Sequence, residues 1–510
     1  MKIAIIGAGV AGLSAGCYLQ MNGFDTEIFE LHSGSGGLCT NWKRGGYTFN
    51  GCINWLLGSN ESNPFFRLWS ELIDMTSIRF ITHDIKMEIE TLESHDRYGN
   101  NVFRLYSNLK RLEKYMIDIA PEDEYMIRKF IGQIRRIQKY EIPPMIKSVP
   151  ELMPLKQKIS FIKYIPLLIF LASYQKITNF SFARKLKNPF LKEVFQLLFN
   201  GADLPMLVQT FPLAFMDQKG AGYPLGGSTG FVNKIEERYV SLGGILHFNS
   251  PVDTILVENN AAKGLQLKDA SQVSADFIIS AADWRFTVFH ALGARYINKK
   301  ILALGNMKKL KVYYSVFFVF LGLDRSFTEF PYISRFPLEV PLLSPDGTEY
   351  ERMELHIHNY DPTLAPAGKT VVSVSLYTQK GDYWIRLRAT DKESYNKTKE
   401  EFAQQVIEIL DKKIGGIKEN IEQADIATPA TFHRYTNNWQ GSIQGWLPGK
   451  NMIAPSPIST DLPGLHHFYL AGHWTIPGGG LPAAIKSARN AAMRICHQTG
   501  KEFKILPIVS

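Results

Sequence analysis

Residues 3–12, IAIIGAGVAG, decide the fold of this 510-residue chain. The first four form a short apolar run of the kind that a buried parallel strand uses. A G-x-G-x-x-G pattern follows at Gly7, Gly9 and Gly12, and a helical pattern begins directly after it. A second strand is predicted over residues 26–29 and ends on Glu30, 18 residues after Gly12. This order, with an acid close to the ~20-residue spacing of the dinucleotide fingerprint, predicts a dinucleotide-binding unit.

Each residue of this motif has a physical task. Gly7 permits the tight turn, Gly9 lets the backbone approach a pyrophosphate, and Gly12 allows close packing of the helix on the strand. The start of the helix, which includes Ala11, offers unpaired N–H groups and a positive dipole end to phosphates. Glu30 can accept hydrogen bonds from both ribose hydroxyls of an adenosine. We therefore predict that these five residues bind the cofactor.

A second glycine pair distinguishes between the common dinucleotides. Gly36 and Gly37 precede Leu38 in the sequence SGSGGL, residues 33–38, soon after Glu30. A simple NAD dehydrogenase continues into its next βα unit at this point, whereas the longer FAD molecule runs over a loop of this kind. The pair therefore favours FAD and adds Gly36, Gly37 and Leu38 to the predicted cofactor site.

Four elements in order carry a family resemblance: GAGVAG at 7–12, Glu30, GSGGLCT at 34–40 and GGYTFNG at 45–51. The chain resembles the carotenoid desaturase, carotenoid isomerase and retinol saturase group of flavoproteins, within the wider amine-oxidase-like FAD superfamily. The resemblance implies an α/β fold with a Rossmann-like FAD-binding domain of the glutathione-reductase type. This domain would be interwoven with an α+β substrate domain that carries a mixed or antiparallel sheet.

The predicted FAD-binding domain is discontinuous and contains residues 1–60, 220–300 and 430–510. The predicted substrate-binding domain contains residues 61–219 and 301–429, of which 101–200 form a mostly helical part. In the latter domain, residues 311–323, KVYYSVFFVFLGL, are rich in β-formers. Segments 354–358 and 370–377 are their predicted partners in an antiparallel sheet.

Two further blocks carry cofactor contacts that the resemblance implies. In the family, the residue matching Val252 contacts the adenine through its backbone, and the turn that contains Ala281 lies close to the cofactor. An acid usually follows the glycine matching Gly472 and binds the ribityl chain. His473 stands there in this chain and can still make one hydrogen bond. A glycine-rich helix start follows, whose N–H groups can face the electron-rich edge of a reduced flavin; its predicted contacts are Gly479, Gly480 and Leu481.

The positive charge of the chain is concentrated in one part of it. Residues 101–200 contain 18 Lys and Arg against 8 Asp and Glu, a local net charge of 18 − 8 = +10, whereas the whole chain has +9. The same part is apolar, but its longest uncharged run, residues 164–175, is shorter than the ~20 residues of a spanning helix. This pattern argues against a nucleic-acid binder. It leaves two interpretations open, an interfacial contact with an anionic membrane and an ordinary helical subdomain with solvated lysines.

Several other kinds of site are not supported by the sequence. No second G-x-G-x-x-G follows a buried strand, so a tightly bound NAD(P)H is not expected, and the electron donor or acceptor is an unidentified external partner. The absence of a C-x-x-C pair argues against a dithiol relay and against zinc, and Cys39 is either redox-active, flavin-linked or a small buried filler. We predict no metal site, because His356 and His358 suit a polar or substrate-lining sheet face better than a metal.

The resemblance implies an FAD-dependent oxidoreductase that acts on C–C or C=C bonds of a lipophilic polyene or isoprenoid, by desaturation, saturation or cis-trans isomerisation. The catalytic residues are unknown, with His473, Tyr47 and His356 as candidates. Two alternatives stay open: an FAD-dependent amine or tetrapyrrole oxidase of the same superfamily, and a non-catalytic lipid- or prenyl-binding protein of the same fold. The cysteine usage and the lack of a signal peptide predict a cytoplasmic location, with peripheral contact to the membrane face as the possibility that the basic segment raises.

Overall fold

The computed structural model describes residues 1–139, 149–199, 201–448 and 458–508. These residues contain twenty strands: β1 (Lys2–Ile6), β2 (Asp25–Phe29), β3 (Asn41–Arg44), β4 (Tyr47–Asn50), β5 (Leu56–Leu57), β6 (Phe80–Ile81), β7 (Ile85–Glu90), β8 (Val102–Tyr106), β9 (Ala221–Pro224), β10 (Ile245–His247), β11 (Val252–Glu258), β12 (Ala261–Leu267), β13 (Gln272–Ser274), β14 (Phe277–Ser280), β15 (Ser315–Leu323), β16 (Ile333–Leu343), β17 (Glu349–Ile357), β18 (Thr370–Thr378), β19 (Ile421–Ala427) and β20 (Phe468–Leu470).

The same residues contain fifteen α-helices: α1 (Val10–Met21), α2 (Pro64–Ser70), α3 (Leu109–Ile119), α4 (Glu124–Lys139), α5 (Leu155–Ser160), α6 (Ile165–Tyr174), α7 (Asn179–Ala183), α8 (Pro189–Leu197), α9 (Leu207–Asp217), α10 (Gly227–Ser241), α11 (Lys299–Gly305), α12 (Gly381–Thr390), α13 (Lys392–Ile414), α14 (Pro429–Thr436) and α15 (Gly480–Gln498).

The first large sheet has five parallel strands in the order β10-β2-β1-β14-β20. Helix α1 connects β1 to β2 and packs against α10 and α15. A parallel sheet covered by helices is the dinucleotide-binding arrangement, so the predicted Rossmann-like α/β fold is confirmed. The five strands fall in residues 2–29, 245–280 and 468–470. The domain boundaries themselves stay a prediction.

Glycines set the close packing of α1 on its neighbours. A Cβ atom at Gly12 would lie 1.9 Å from the carbonyl oxygen of Gly7, and one at Gly16 would lie 2.4 Å from the ring of Tyr239 on α10. Because neither contact can be relieved without moving backbone or a buried ring, only glycine fits at these positions. Gly12 therefore acts as the sequence predicts, by letting the helix approach the strand.

The second large sheet has seven strands in the order β19-β15-β18-β17-β16-β7-β8. Its neighbouring strands are antiparallel except for β16 and β7, which pair in parallel, so the predicted mixed sheet is confirmed. Strands β15, β17 and β18 match the predicted segments. Strand β16 was not predicted, because Pro337 and Pro341 interrupt its pattern, and its pairing with β17 shifts register after Pro337.

The two faces of this sheet differ. On β17, Met353, Leu355 and Ile357 belong to the apolar core that also contains α13, whereas Glu354 and His356 point to the opposite face. A helical unit built from α3, α4 and α6 to α9 has its own apolar core, which extends to β7, β8 and Ile333 of β16. Among the described residues, no helix is both long and apolar enough to cross a membrane.

Candidate cofactor site

A cavity of about 880 Å³ opens at the carboxyl ends of β1, β2 and β14. This edge of an open parallel sheet is where α/β proteins bind dinucleotides. Thirteen of the residues predicted to bind the cofactor line the cavity: Gly7, Gly9, Ala11, Glu30, Gly36, Gly37, Leu38, Val252, Ala281, Gly472, His473, Gly480 and Leu481.

The other predicted residues lie elsewhere in the described part of the chain. Gly12 packs under the first glycine turn, and Gly479 is the N-cap of α15, which begins at Gly480. Tyr47 is buried on β4, where its hydroxyl donates to Glu422 Oε2 at 2.6 Å. His356 lies within the seven-stranded sheet. The structure therefore separates Tyr47 and His356 from the cavity.

Backbone contacts join two glycine loops along the cavity. The N–H of Gly36 donates to the carbonyl oxygen of Ala8 at 3.0 Å, and Gly9 and Gly36 form a parallel bridge. Gly7 and Gly36 have φ angles of +95° and +117°, which L side chains rarely adopt. A Cβ at Gly9 would meet only the carbonyl oxygen of Gly36, at 3.9 Å, so this side of the loop is open. Together the loops expose main chain to the cavity.

Glu30 is held in place by the backbone. Its Oε2 accepts from the N–H of Ala8 at 2.6 Å, and its Oε1 accepts from the N–H of His32 at 2.9 Å. Burial raises the pKa of this carboxyl, and the two N–H groups act in the opposite direction. Each oxygen keeps a free lone pair for a further donor, so Glu30 can accept from vicinal hydroxyls of a ribose.

His473 contributes an unpaired nitrogen. Its Nε2 is buried and has no hydrogen-bond partner among the described residues. Burial lowers the pKa of its imidazole to about 4, so the ring is neutral at physiological pH. Because a buried unpaired polar atom costs free energy, this nitrogen is poised for a ligand. The neighbouring Gly472 has a φ of +110°.

Other cavity residues were not identified from the sequence. Asp283 is buried, and its carboxylate accepts from the N–H groups of Phe286 at 2.7 Å and Trp439 at 2.8 Å. Burial raises the pKa of Asp283 to about 6. The guanidinium of Arg285 lies 4.6 Å from the ring centre of Trp439. Residues 433–440 form a further wall. The signal for Asp283 was its place directly after the predicted cofactor turn.

Three tryptophans that are distant in sequence meet beside the cavity. Trp446 packs edge-on against Trp474 at 5.2 Å and against Trp439 at 5.9 Å between ring centres. The indole N–H of Trp446 donates to the carbonyl oxygen of Trp474 at 3.0 Å. Trp439 and Trp474 line the cavity. The cluster therefore gives the site a large apolar wall, in which the indole N–H of Trp446 already has a hydrogen-bond acceptor.

A polar surface covers the sheet face opposite α13. We call it the inner polar face, and it consists of Arg335, Glu354, His356, Ser373 and Ser375. Glu354 pairs with Arg335 at 2.5 Å and with His356 Nε2 at 2.9 Å. Although burial alone would raise it, the Arg335 guanidinium and His356 hold the pKa of the Glu354 carboxyl well below its usual range.

The segment that precedes β15 connects the inner polar face to the surroundings of the cavity. The N–H of Tyr313 donates to the carbonyl oxygen of Gly445 at 2.7 Å, and its hydroxyl lies within electrostatic reach of Glu354 and Arg335. A Cβ at Gly445 would lie 2.9 Å from Cδ2 of His473. His356 and His358 have partners of their own, and no group of three potential ligands occurs in the described part of the chain.

The donor set of the cavity fits FAD. Main-chain N–H groups at the start of α1 suit a pyrophosphate, and Lys268, Arg285 and Arg434 supply cations to the same cavity. The doubly anchored Glu30 suits the adenosine ribose, and the unpaired Nε2 of His473 suits a hydroxyl or carbonyl of the cofactor. Neutral glycines on both loops leave the space that a diphosphate needs.

Comparisons with known proteins agree with this fit. Residues 10–496 match the family model of the flavin containing amine oxidoreductases. The chain is 24% identical to a 4,4'-diapophytoene desaturase (4,4'-diapolycopene-forming) of Methylomonas sp, over 98% of this chain and 96% of that protein. It is 23% identical to a phytoene desaturase (lycopene-forming) of Pseudescherichia vulneris, over 96% and 98%. The resemblance to carotenoid desaturases is thus confirmed.

Solved structures show the same fold. A putrescine oxidase variant superposes with a TM-score of 0.57 at 12% identity, covering 98% of this chain and 99% of that one. An oxidoreductase of Methanosarcina mazei gives a TM-score of 0.55 at 16% identity, covering 96% and 99%. The chain belongs to the flavin containing amine oxidoreductase family and is an FAD-dependent oxidoreductase.

Proposed function

We propose that this enzyme oxidises carbon–carbon single bonds of a lipophilic polyene or isoprenoid to double bonds. The observation that carries the proposal is the similarity to two polyene desaturases, which runs over nearly the full length of both partners. Saturation and cis-trans isomerisation use the same site and cofactor, and they are the outcomes that an assay must distinguish. The putrescine oxidase variant shares the fold at 12% identity, and a similarity at this level does not identify the substrate of this chain.

We infer that the predicted residues bind FAD in one orientation. The first glycine turn and the start of α1 would hold the pyrophosphate, Glu30 the adenosine ribose, and the backbone at Val252 the adenine. Gly472 and His473 would contact the ribityl chain, and the helix start at Gly480 would face the ring system. The presence of all these residues in the lining of one cavity supports this orientation.

A bound flavin supplies the acceptor for a hydride equivalent, and the protein supplies position and a dry environment. Trp439 and Trp474 provide an apolar wall for a hydrocarbon. His473 is neutral at pH 7, so it suits a hydrogen bond to the cofactor better than proton donation. Tyr47 and His356 are engaged with Glu422 and Glu354. This arrangement suits a substrate whose own conjugation stabilises developing charge.

We propose that α5 and α6 contact an anionic membrane on its cytoplasmic side. The buried face of α6 holds Leu167 and Phe170, yet its other face is also apolar, with Ile169 65% exposed. Further exposed apolar side chains continue this surface: Leu155, Ile159, Ile162, Ile165 and Leu168. Exposed Lys158 and Lys163 lie among them. A short apolar helix flanked by lysines is typical of an interfacial contact, and it would let a lipid substrate enter from the bilayer.

The substrate is tested by anaerobic mixing of the flavin-loaded protein with a panel of polyenes, fatty acids and amines. We expect a partly saturated isoprenoid polyene to bleach the flavin absorption while new conjugated double bonds appear in the extracted lipid. If an amine bleaches the flavin and every apolar compound fails, the enzyme is an amine oxidase.

The membrane contact is tested by co-sedimentation with vesicles of phosphatidylglycerol and phosphatidylcholine. Ile162→Ser with Ile169→Ser is expected to lower binding about tenfold or more, because each buried apolar side chain contributes roughly 1.5–3 kcal/mol. Lys158→Glu with Lys163→Glu is expected to weaken binding at low salt. Val340→Ser, at a site 76% exposed on β16, is the matched control. If the unaltered protein, the two double variants and the control sediment equally, the membrane contact is contradicted.

A further inference from the structure

The β3–β4 hairpin places two cysteines opposite each other. Asn41 and Asn50 are the last pair of its ladder, and one step outward the N–H of Gly51 donates to the carbonyl oxygen of Thr40 at 3.2 Å. Cys39 and Cys52 occupy the next step. Residues directly opposite in an antiparallel pair have Cα atoms about 4.5–5.5 Å apart, within the range that a disulfide spans.

The two thiols interact with each other and with one serine. The neighbouring Cys39 thiol lowers the pKa of the Cys52 thiol despite its burial, and the Ser228 side chain adds to this effect. The same interaction raises the pKa of Cys39. The Cys39 Sγ also lies 3.9 Å from the carbonyl oxygen of Ser228, in the first turn of α10. The start of a 15-residue helix further favours a thiolate on Cys52.

This pair lies in the wall of the cofactor cavity. Cys39 and Cys52 both line it, next to the glycine loop at Gly36, Gly37 and Leu38. The other two cysteines are fully buried in the core around α1 and α15, and burial raises the pKa of both thiols. Cys52, by contrast, is only partly buried. Cys17 and Cys496 are therefore enclosed by the core, whereas Cys39 and Cys52 lie opposite each other and line a cavity.

We propose that Cys39 and Cys52 form a reversible dithiol/disulfide couple that exchanges with low-molecular-weight disulfides. The Cys52 thiolate attacks one sulfur of the small disulfide, which releases one thiolate and leaves a mixed disulfide on Cys52. Cys39 loses its proton and attacks the Cys52 sulfur, which releases the second thiol. One small disulfide and two protein thiols become one protein disulfide and two small thiols, so the two-electron oxidation is balanced. The couple does not depend on the identity of the oxidised substrate.

The cofactor controls access to the couple. Cys39 and Cys52 both line the cavity that fits FAD, so we expect a bound cofactor to cover them and exchange to need the cofactor to leave or shift. The pair is consequently a redox-sensitive element of the unloaded protein. We expect saturation with FAD to slow disulfide formation at least about tenfold, because exchange requires direct access of the attacking and leaving sulfurs.

The experiment equilibrates the apoprotein in glutathione buffers of increasing disulfide content, followed by alkylation and digestion with trypsin and a glutamate-specific protease. Cleavage after Glu30, Lys43, Arg44 and Glu61 gives peptides 31–43 and 45–61, which contain Cys39 and Cys52 as their sole cysteines. We expect these two peptides to become one cross-linked species, lighter by two hydrogen atoms than their sum. Cys17→Ser and Cys496→Ser are the matched controls and are expected to leave the titration unchanged.

Three results would overturn the couple. In the first, both peptides are recovered fully alkylated across the whole series. In the second, Cys52 ends as a stable mixed disulfide with glutathione, so Cys39 does not resolve it. In the third, FAD does not change the rate, which places the sulfurs away from the cofactor. Cys52→Ser is expected to abolish the cross-link, and because the decisive titration uses the unaltered chain, the outcome stands even where Cys39→Ser does not fold.

Discussion

The cofactor cavity and the inner polar face are built in opposite ways. The cavity exposes main chain at glycine loops around Gly7, Gly36 and Gly480, which follow strands or open helices. The inner polar face is made of side chains, with Arg335, Glu354 and Ser375 brought into register from three strands. The first construction tolerates sequence change around fixed glycines. The second depends on the matching of buried charges.

The largest effect is expected at the inner polar face. Glu354→Gln leaves the partly buried Arg335 without its carboxylate and is expected to lower the free energy of unfolding by about 3–5 kcal/mol. FAD affinity should stay within about threefold, since Glu354 lies outside the cavity wall. Glu351→Gln, an exposed position on the same strand, is the control. Denaturant titration and flavin binding measure both quantities, and a loss of flavin affinity without a loss of stability contradicts the separation of the two regions.

Gly12→Ala is expected to act on both stability and cofactor binding. Its Cβ would overlap the carbonyl oxygen of Gly7, so the free energy of unfolding should fall by about 3 kcal/mol. Because the turn proposed to hold the pyrophosphate must shift with it, FAD binding should weaken in the same variant. Gly230→Ala on α10, where no atom lies within 4 Å of the new Cβ, is the control. Normal flavin binding by Gly12→Ala argues against the proposed fit of the turn.

Asp283 gives a pH-dependent prediction. Its folded pKa of about 6 lies above its reference value of 3.8, so between these pH values the unfolded state releases the proton first. The stability of the protein relative to Asp283→Asn should therefore fall as the pH rises from about 4 to about 6, by up to about 3 kcal/mol. Thermal or denaturant unfolding of both proteins across this range provides the measurement. A constant difference shows that Asp283 ionises normally in the folded protein.

The smallest of these effects is expected at Glu30. Glu30→Gln keeps the shape of the side chain but can present only one acceptor oxygen, so it cannot serve both the backbone N–H groups and two ribose hydroxyls. FAD affinity should fall about tenfold, which corresponds to ~1.4 kcal/mol. Fluorescence titration with FAD measures it, and Glu27→Gln, on the preceding strand, is the control. An unchanged dissociation constant removes Glu30 from the proposed site.

The difference between the cofactor cavity and the inner polar face also explains which parts of the structure the sequence could predict. Residues 3–38 contain a strand, a glycine turn, a helix and an acidic residue within one continuous stretch. Each could be predicted because local chemistry determines its role. Strand β16 escaped prediction because its two prolines conceal the period-two pattern. Asp283, the wall at 433–440 and the meeting of Trp439, Trp446 and Trp474 depend on tertiary contacts between distant segments. The pairing of Cys39 with Cys52 likewise follows from the register of a hairpin and from no C-x-x-C motif.

The proposed oxidation of carbon–carbon bonds is tested most directly by analysing the product formed from a substrate that still contains such single bonds. Flavin-loaded protein is incubated without oxygen with a partly saturated isoprenoid polyene in anionic vesicles, and the extracted lipid is examined by absorption spectroscopy beside the flavin spectrum. We predict a longer conjugated chromophore in the lipid together with stoichiometric bleaching of the flavin. An unchanged lipid with an oxidised flavin, in a protein that an amine reduces, contradicts the proposed action on carbon–carbon bonds.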